Sequence, residues 1–232
     1  MCGRYGLYRS KMDYENALEA SGGLTADRER GQRSIAPNYN VSPTNAVWIA
    51  RRDGRNVWLE PVVWGLTARW SKAPEEGPRP INARQETAAT SKLFGPLMRR
   101  RRCLVPCDGF YEWKQAPGGK QPHLIRMMSG EPFFFAGLYE IWHEGKPDEL
   151  ATFTIITGES NELVAPIHNR MPVIVKPADY ERWLDPAITD PAVLADILKP
   201  YPAGEMTAYR VSTRVNSPRN NDPAIIEPLQ QP

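Results

Sequence analysis

Short β-branched and aromatic runs, each closed off by Gly, Pro, Asn or Asp, dominate the apolar pattern of this chain. Residues 47–50 (VWIA) and 57–63 (VWLEPVV) flank Arg51-Arg52-Asp53-Gly54, a pattern that predicts a hairpin. Residues 103–106 (CLVP), then Asp108-Gly109, then 110–114 (FYEWK) predict a second. Further strands are expected at 5–8, 124–128, 133–139, 151–157 and 173–175. Helical spacing is confined to 12–20, to 86–98 with an interruption near Gly95-Pro96, and to 178–184 and 191–198. Segments 22–37 and 71–80 read as surface connections, and the Pro-rich tail 217–232 reads as irregular, anchored by Ile225 and Ile226. Many antiparallel strands with a few peripheral helices indicate an α+β fold, its core a mainly antiparallel curled sheet or barrel. There is no internal repeat.

Length adds a bound: 232 residues suffice to bury the core of one domain, and a single domain spanning 1–232 is expected. A formal charge of +2 is too small to identify a nucleic-acid binder by itself. Arginines nevertheless outnumber lysines, and the planar guanidinium suits forked contacts to phosphate and stacking on bases. Three cysteines, an odd number, with no apolar h-region behind the N-terminus, point to free thiols in a reducing cytoplasm. No apolar run is long enough to cross a bilayer, so no membrane association is expected.

Chemistry enters at Cys2, directly behind Met1. Removal of Met1 would leave an α-amine and a thiol on adjacent carbons, a 1,2-aminothiol that no internal Cys can offer. An α-amine has a pKa of about 7.7–8.0 against about 10.4 for Lys, so near neutrality far more of it is nucleophilic. It attacks aldehydes, and the thiol can close the imine into a five-membered thiazolidine. The alternative is an ordinary small residue near a frayed terminus. Along strand 110–114, alternation puts Phe110, Glu112 and Lys114 on one face and Tyr111 and Trp113 on the other. Glu112 is then either a solvated carboxylate or a general acid/base raised by desolvation. His168, in Ile167-His168-Asn169-Arg170-Met171-Pro172, lies on a loop entering a strand, where it is either a site residue or structural. Asn82, in Pro80-Ile81-Asn82-Ala83-Arg84-Gln85-Glu86-Thr87, caps a helix or directs its amide at a bound polar group. Cys103 and Cys107 lack the partners a zinc site needs, and no metal or other cofactor is expected. Arg99-Arg100-Arg101-Arg102 is a phosphate patch or a solvated helix end. Trp64 and Trp70 are core residues or base-stacking platforms.

Taken together and in order, these segments resemble the SOS response-associated peptidase family, whose members shield abasic sites in single-stranded DNA. The matching stretches are Met1-Cys2-Gly3-Arg4, Tyr39-Asn40-Val41-Ser42-Pro43, Trp64-Gly65-Leu66, 81–87 (INARQET), 102–106 (RCLVP), 108–113 (DGFYEW) and 168–172 (HNRMP), with a weaker echo at Val215-Asn216 and Asp222-Pro223. The resemblance implies a β-rich domain with a positively charged groove for single-stranded DNA. It implies Cys2 as covalent nucleophile, Asn82 as partner of the sugar-derived adduct, and Glu112 and His168 as the acid/base pair. Arg4 and Arg84 would bind phosphates beside the lesion, with Trp64, Trp70 and Trp113 available for stacking. A monomer is expected, with replication-fork proteins as candidate partners. Two rival readings stand beside it: a cysteine peptidase or amidohydrolase using Cys2 for acyl transfer, and a single-strand binding module without covalent chemistry.

Overall fold

The structure is a computed structural model that describes residues 2–31 and 33–230. Strand β1 (Tyr5–Leu7) leads into helix α1 (Lys11–Glu19). Ser10 starts that helix: its hydroxyl accepts from the Asp13 amide while the Asp13 carboxylate accepts from the Ser10 amide. Strands β2 (Thr25–Ala26) and β3 (Asn38–Val41) precede the hairpin of β4 (Ala46–Asp53) and β5 (Asn56–Trp64). The middle of the chain holds β6 (Asn82–Arg84), α2 (Gln85–Ala88), α3 (Gly95–Arg100), β7 (Arg102–Cys107), β8 (Gly109–Ala116), β9 (Gly119–Met127), β10 (Phe133–Trp142) and β11 (Leu150–Glu159). After these come β12 (Arg170–Pro172), β13 (Ile174–Val175), α4 (Tyr180–Leu184) and β14 (Met206–Arg210).

The strands form two sheets. One has the order β14-β9-β8-β1-β3 and is antiparallel throughout. In the other, β11, β10, β7, β4 and β5 follow one another, and β5 then pairs in parallel with β11 through Thr152↔Val63 and Phe153↔Trp64. That pairing curls the sheet into a ring, the closed form expected of a barrel-like core. Trp64 sits at the closure, where its Nε1 donates to the Ile81 carbonyl at 3.0 Å. Gly65 follows with φ +117°, a conformation that admits glycine and few other residues, and its amide donates to the Phe153 carbonyl. Past that turn β6 takes over as the parallel neighbour of β11, with Asn82 opposite Ile155.

The α+β class and the antiparallel curled sheet agree with the sequence expectation, and α1 and α4 fall where helices are expected, whereas 191–198 forms only a 3-10 turn over Pro191–Leu194. The first hairpin forms with longer arms than 47–50 and 57–63. The second does not form: β7 pairs with β10 and β4 in the ring, whereas β8 pairs with β1 and β9 in the other sheet. Asp108 is therefore a crossover residue. Its carboxylate accepts from the Tyr8 amide at 2.7 Å and the Tyr14 hydroxyl at 2.5 Å, and pairs with Arg9 at 3.1 Å. The helix expected over 86–98 is two short helices, and its interruption falls before Gly95, with Pro96 in the first turn of α3. Of the arginine run, Arg102 is buried and fans its guanidinium onto the carbonyls of Met98, Trp183 and Asp185. It is neither a phosphate contact nor a solvated helix end.

Both sheets contribute to one large buried cluster. Tyr5 packs edge-on against Trp64 and Phe135, and Phe110 against Phe135, so the inner face of β1 and β8 seats on the ring. On the outer face Tyr111 and Trp113 meet Leu124, Val211, Val215 and Ile225, the predicted tail anchor.

Candidate active site

The site begins with the register of β1 on β8. Tyr5 lies opposite Phe110, and the Tyr111 amide donates to the Arg4 carbonyl at 3.0 Å. Beyond Arg4 the chain carries Cys2 to within electrostatic reach of Glu112. Cys2 is wholly buried. Burial, reinforced by the negative charge of Glu112, pushes its thiol well above the ordinary cysteine range. Met1, and with it the expectation that its removal exposes the Cys2 amine, lies outside the described residues.

Glu112 is only 2 % exposed. Burial raises its carboxyl to about 7, against the opposing pull of Lys120. A cleft of about 390 Å³ opens over it, lined by Glu112, Trp113, Lys120, His168 and Asn216. His168 reaches this cleft from the loop before β12. Its Nδ1 lies 3.0 Å from both the amide and the carbonyl of Arg170, which fixes the ring. Burial lowers its pKa, so the neutral imidazole prevails at pH 7.

Arg170 also explains why two separate motifs belong together. Its guanidinium forks onto Glu86 at 2.7 and 3.0 Å and donates to the Thr157 carbonyl. The His168 loop is thereby fastened to the 81–87 segment across β11. Asn82 stands on β6 in that segment and does not cap α2; Arg84 occupies the cap position without a side-chain bond. The Asn82 Nδ2 donates to the Ile81 carbonyl, while its Oδ1 is buried without a hydrogen-bond partner among the described residues. An acceptor in that state suits a bound hydroxyl.

The remaining candidates divide. Arg84 is exposed, and Trp70 is 61 % exposed beside a separate hollow. Trp113 borders the cleft and donates from Nε1 to Asn216 Oδ1 at 2.7 Å. Trp64 is fully buried against Tyr5 and Phe153, so the base-stacking expectation is corrected to a core role. Arg4 directs Nη1 inward, to Asn40 Oδ1 at 2.7 Å and the Val215 carbonyl at 2.8 Å. Only the rest of its fork can meet a phosphate. Sequence reasoning assigned no role to Lys120 or Asn216. Position next to the Gly118-Gly119 turn was the available signal for Lys120; for Asn216 only the Val215-Asn216 echo pointed there.

A family model described as SOS response associated peptidase matches residues 1–218. The chain is 40 % identical over 228 residues to abasic site processing protein YoqW of Bacillus subtilis, covering 98 % of this chain and 99 % of that one. It is 30 % identical to abasic site processing protein YedK of Escherichia coli, covering 99 % and 100 %. A crystal structure of a protein from Bacteroides thetaiotaomicron superposes with a TM-score of 0.83 at 28 % identity, covering 99 % of this chain and all of that one.

Proposed function

The chain belongs to the SOS response associated peptidase family, and on that premise we propose that it captures abasic sites in single-stranded DNA by forming a thiazolidine between Cys2, freed of Met1, and the sugar aldehyde. The observation that carries this reading is convergence. A carboxyl raised to about 7 and a neutral imidazole, from distant parts of the chain, line one cleft, and the buried Cys2 thiol lies within electrostatic reach of that carboxyl. A carboxyl raised by burial at the mouth of a cleft, beside an imidazole, is placed for proton transfer.

The abasic sugar is mostly a closed hemiacetal. His168 Nε2 takes the proton of the anomeric hydroxyl while protonated Glu112 gives one to the ring oxygen, which opens the ring to the aldehyde. The Cys2 amine adds to the carbonyl carbon, and loss of water leaves an imine. The thiol is held neutral by its surroundings until then. Glu112, now a carboxylate, takes the thiol proton as sulfur bonds to the same carbon, and the His168 imidazolium returns its proton to the nitrogen. The sum is aldehyde plus aminothiol giving thiazolidine plus water. With no imine left, β-elimination of the strand is suppressed. Asn82 Oδ1 is the acceptor for a sugar hydroxyl, and Arg84, Trp70 and Trp113 offer contacts to backbone and bases.

Intact-mass measurement after incubation with a single-stranded abasic oligonucleotide tests this. One adduct per processed chain is expected, and none on chain that retains Met1. Equal adduct on both forms would remove the α-amine from the mechanism. Hydrolysis of peptides that is lost in Cys2→Ala, without any DNA adduct, would favour acyl transfer instead.

A further inference from the structure

The cleft continues past the catalytic groups. A second hollow of about 390 Å³ adjoins it, lined by the 116–121 turn together with Thr213 and Asn216. Lys120 and Asn216 line both, and so mark the junction. In the second hollow the exposed turn at Gly118 and Gly119 runs with positive φ and nothing within 4 Å of where a Cβ would stand, so that side is open to an incoming chain. Lys120 brings a cation close enough to pull down the pKa of both Glu112 and His168.

Asn216 is equally directed. Its Oδ1 accepts from Trp113 Nε1 at 2.7 Å, which commits the oxygen and turns the Nδ2 donors to the other side. The segment presenting it is tightly fastened. Val215 is fully buried, and Asn40, 2 % exposed, donates from Nδ2 to the carbonyls of Val215, Ser217 and Asn220 while accepting from Arg4. A donor held this way is part of the binding surface's shape.

We infer that Lys120 and Asn216 form a subsite for a phosphodiester next to the lesion, the cation neutralising it and the amide orienting it, with the strand leaving through the second hollow. This rests on the reading of the cleft as an abasic-site pocket. An ammonium and a fixed amide side by side at the exit of a carboxylate-bearing pocket suit an anion and no neutral group equally well. Arg4 is then a positioning residue, acting through Asn40 and the Val215 carbonyl on the segment that carries Asn216.

Binding of an intact single strand, which needs no covalent step, tests the subsite apart from the chemistry. Lys120→Met should flatten the log–log salt dependence by about 0.7, the share of one neutralised phosphate, and Lys120→Arg should restore it. Asn216→Asp keeps an acceptor for Trp113 but turns a carboxylate on the phosphate, so binding should fall at least tenfold with unchanged thermal unfolding. Were Asn216 only a tether for Trp113, the Asp variant would bind as the parent does. A parent-like slope in Lys120→Met, or parent-like affinity in Asn216→Asp, overturns the subsite even if cross-linking proceeds. Loss of both effects cannot be confused with failure of the pocket reading, which shows as a parent that binds the strand but forms no adduct.

Discussion

Replacing Glu112 by Gln should make the protein more stable and less active at once, and the stability gain should depend on pH. The carboxyl has an ordinary value of 4.5 and is raised to about 7 in the fold, chiefly by burial. A folded-state pKa raised above the unfolded one means the native state holds the proton more tightly. Its stabilising contribution is complete below pH 4.5 and is lost as pH rises through about 7. A gap of roughly two and a half pKa units is worth about 3 kcal/mol, at about 1.4 kcal/mol per unit, and at 2 % exposure the side chain has little solvent to soften it. Gln keeps the shape and never charges.

The difference in unfolding free energy between Glu112→Gln and parent should therefore be small near pH 4.5, grow towards pH 7 and level off above it. In thermal unfolding about 3 kcal/mol corresponds to a Tm gain of about 6–12 °C for a chain of this size. Scans of both proteins from pH 4.5 to 8.5, with cross-linking rates from the same samples, make the comparison. The rate should fall by about 10²–10⁴-fold as general acid/base transfer is lost. Parallel stability curves with a constant offset would show that Glu112 is not held near neutrality, and would refute the acid/base assignment with it.

His168→Ala should slow adduct formation by a comparable factor. In the parent, the pH profile should peak in a narrow band between the lowered His168 value, below 6.5, and the Glu112 value of about 7; a flat profile from pH 5.5 to 8 speaks against the pair. Cys2→Ser retains the amine but loses the thiol, so its adduct should survive denaturing electrophoresis only after borohydride reduction. A durable unreduced Ser adduct would mean a different linkage. Asn82→Ala should weaken the adduct while leaving thermal unfolding near the parent's, because the Oδ1 it removes has no protein partner among the described residues.

What could be read in advance was what is local. The alternation of Phe110 against Tyr111 and Trp113 follows from strand geometry alone, and the structure distributes these three between two clusters as that geometry requires. The error at Asp108-Gly109 has the opposite origin. The dipeptide carries good hairpin chemistry, but partner choice is decided elsewhere: Tyr8, Arg9 and Tyr14 claim the carboxylate, and β4 and β10 claim β7. β9 was found only in part and β14 not at all, since 206–210 (MTAYR) carries no strong strand pattern and forms because Met127 to His123 offer it an edge.

The site follows the same division, and its reason is burial of polar groups. Cys2, Glu112 and His168 stand in conspicuous motifs, yet sequence alone left each between a structural and a chemical role. Burial is what favours the chemical reading of Glu112, because a carboxyl buried at a cleft costs stability that a solvated one does not. Asn40 reverses the case. It sits in a recognised motif, but its meaning lies 175, 177 and 180 residues away, in three carbonyls of the segment that carries Asn216. A buried amide with three such acceptors cannot be exchanged without leaving them unpaired. The same bonds turn Arg4 from a free cation into a tie between the N-terminal segment and the segment that carries Asn216. The N-terminal motif and the C-terminal echo thus describe one structure, the mounting of Cys2 and of the surface its substrate would cross.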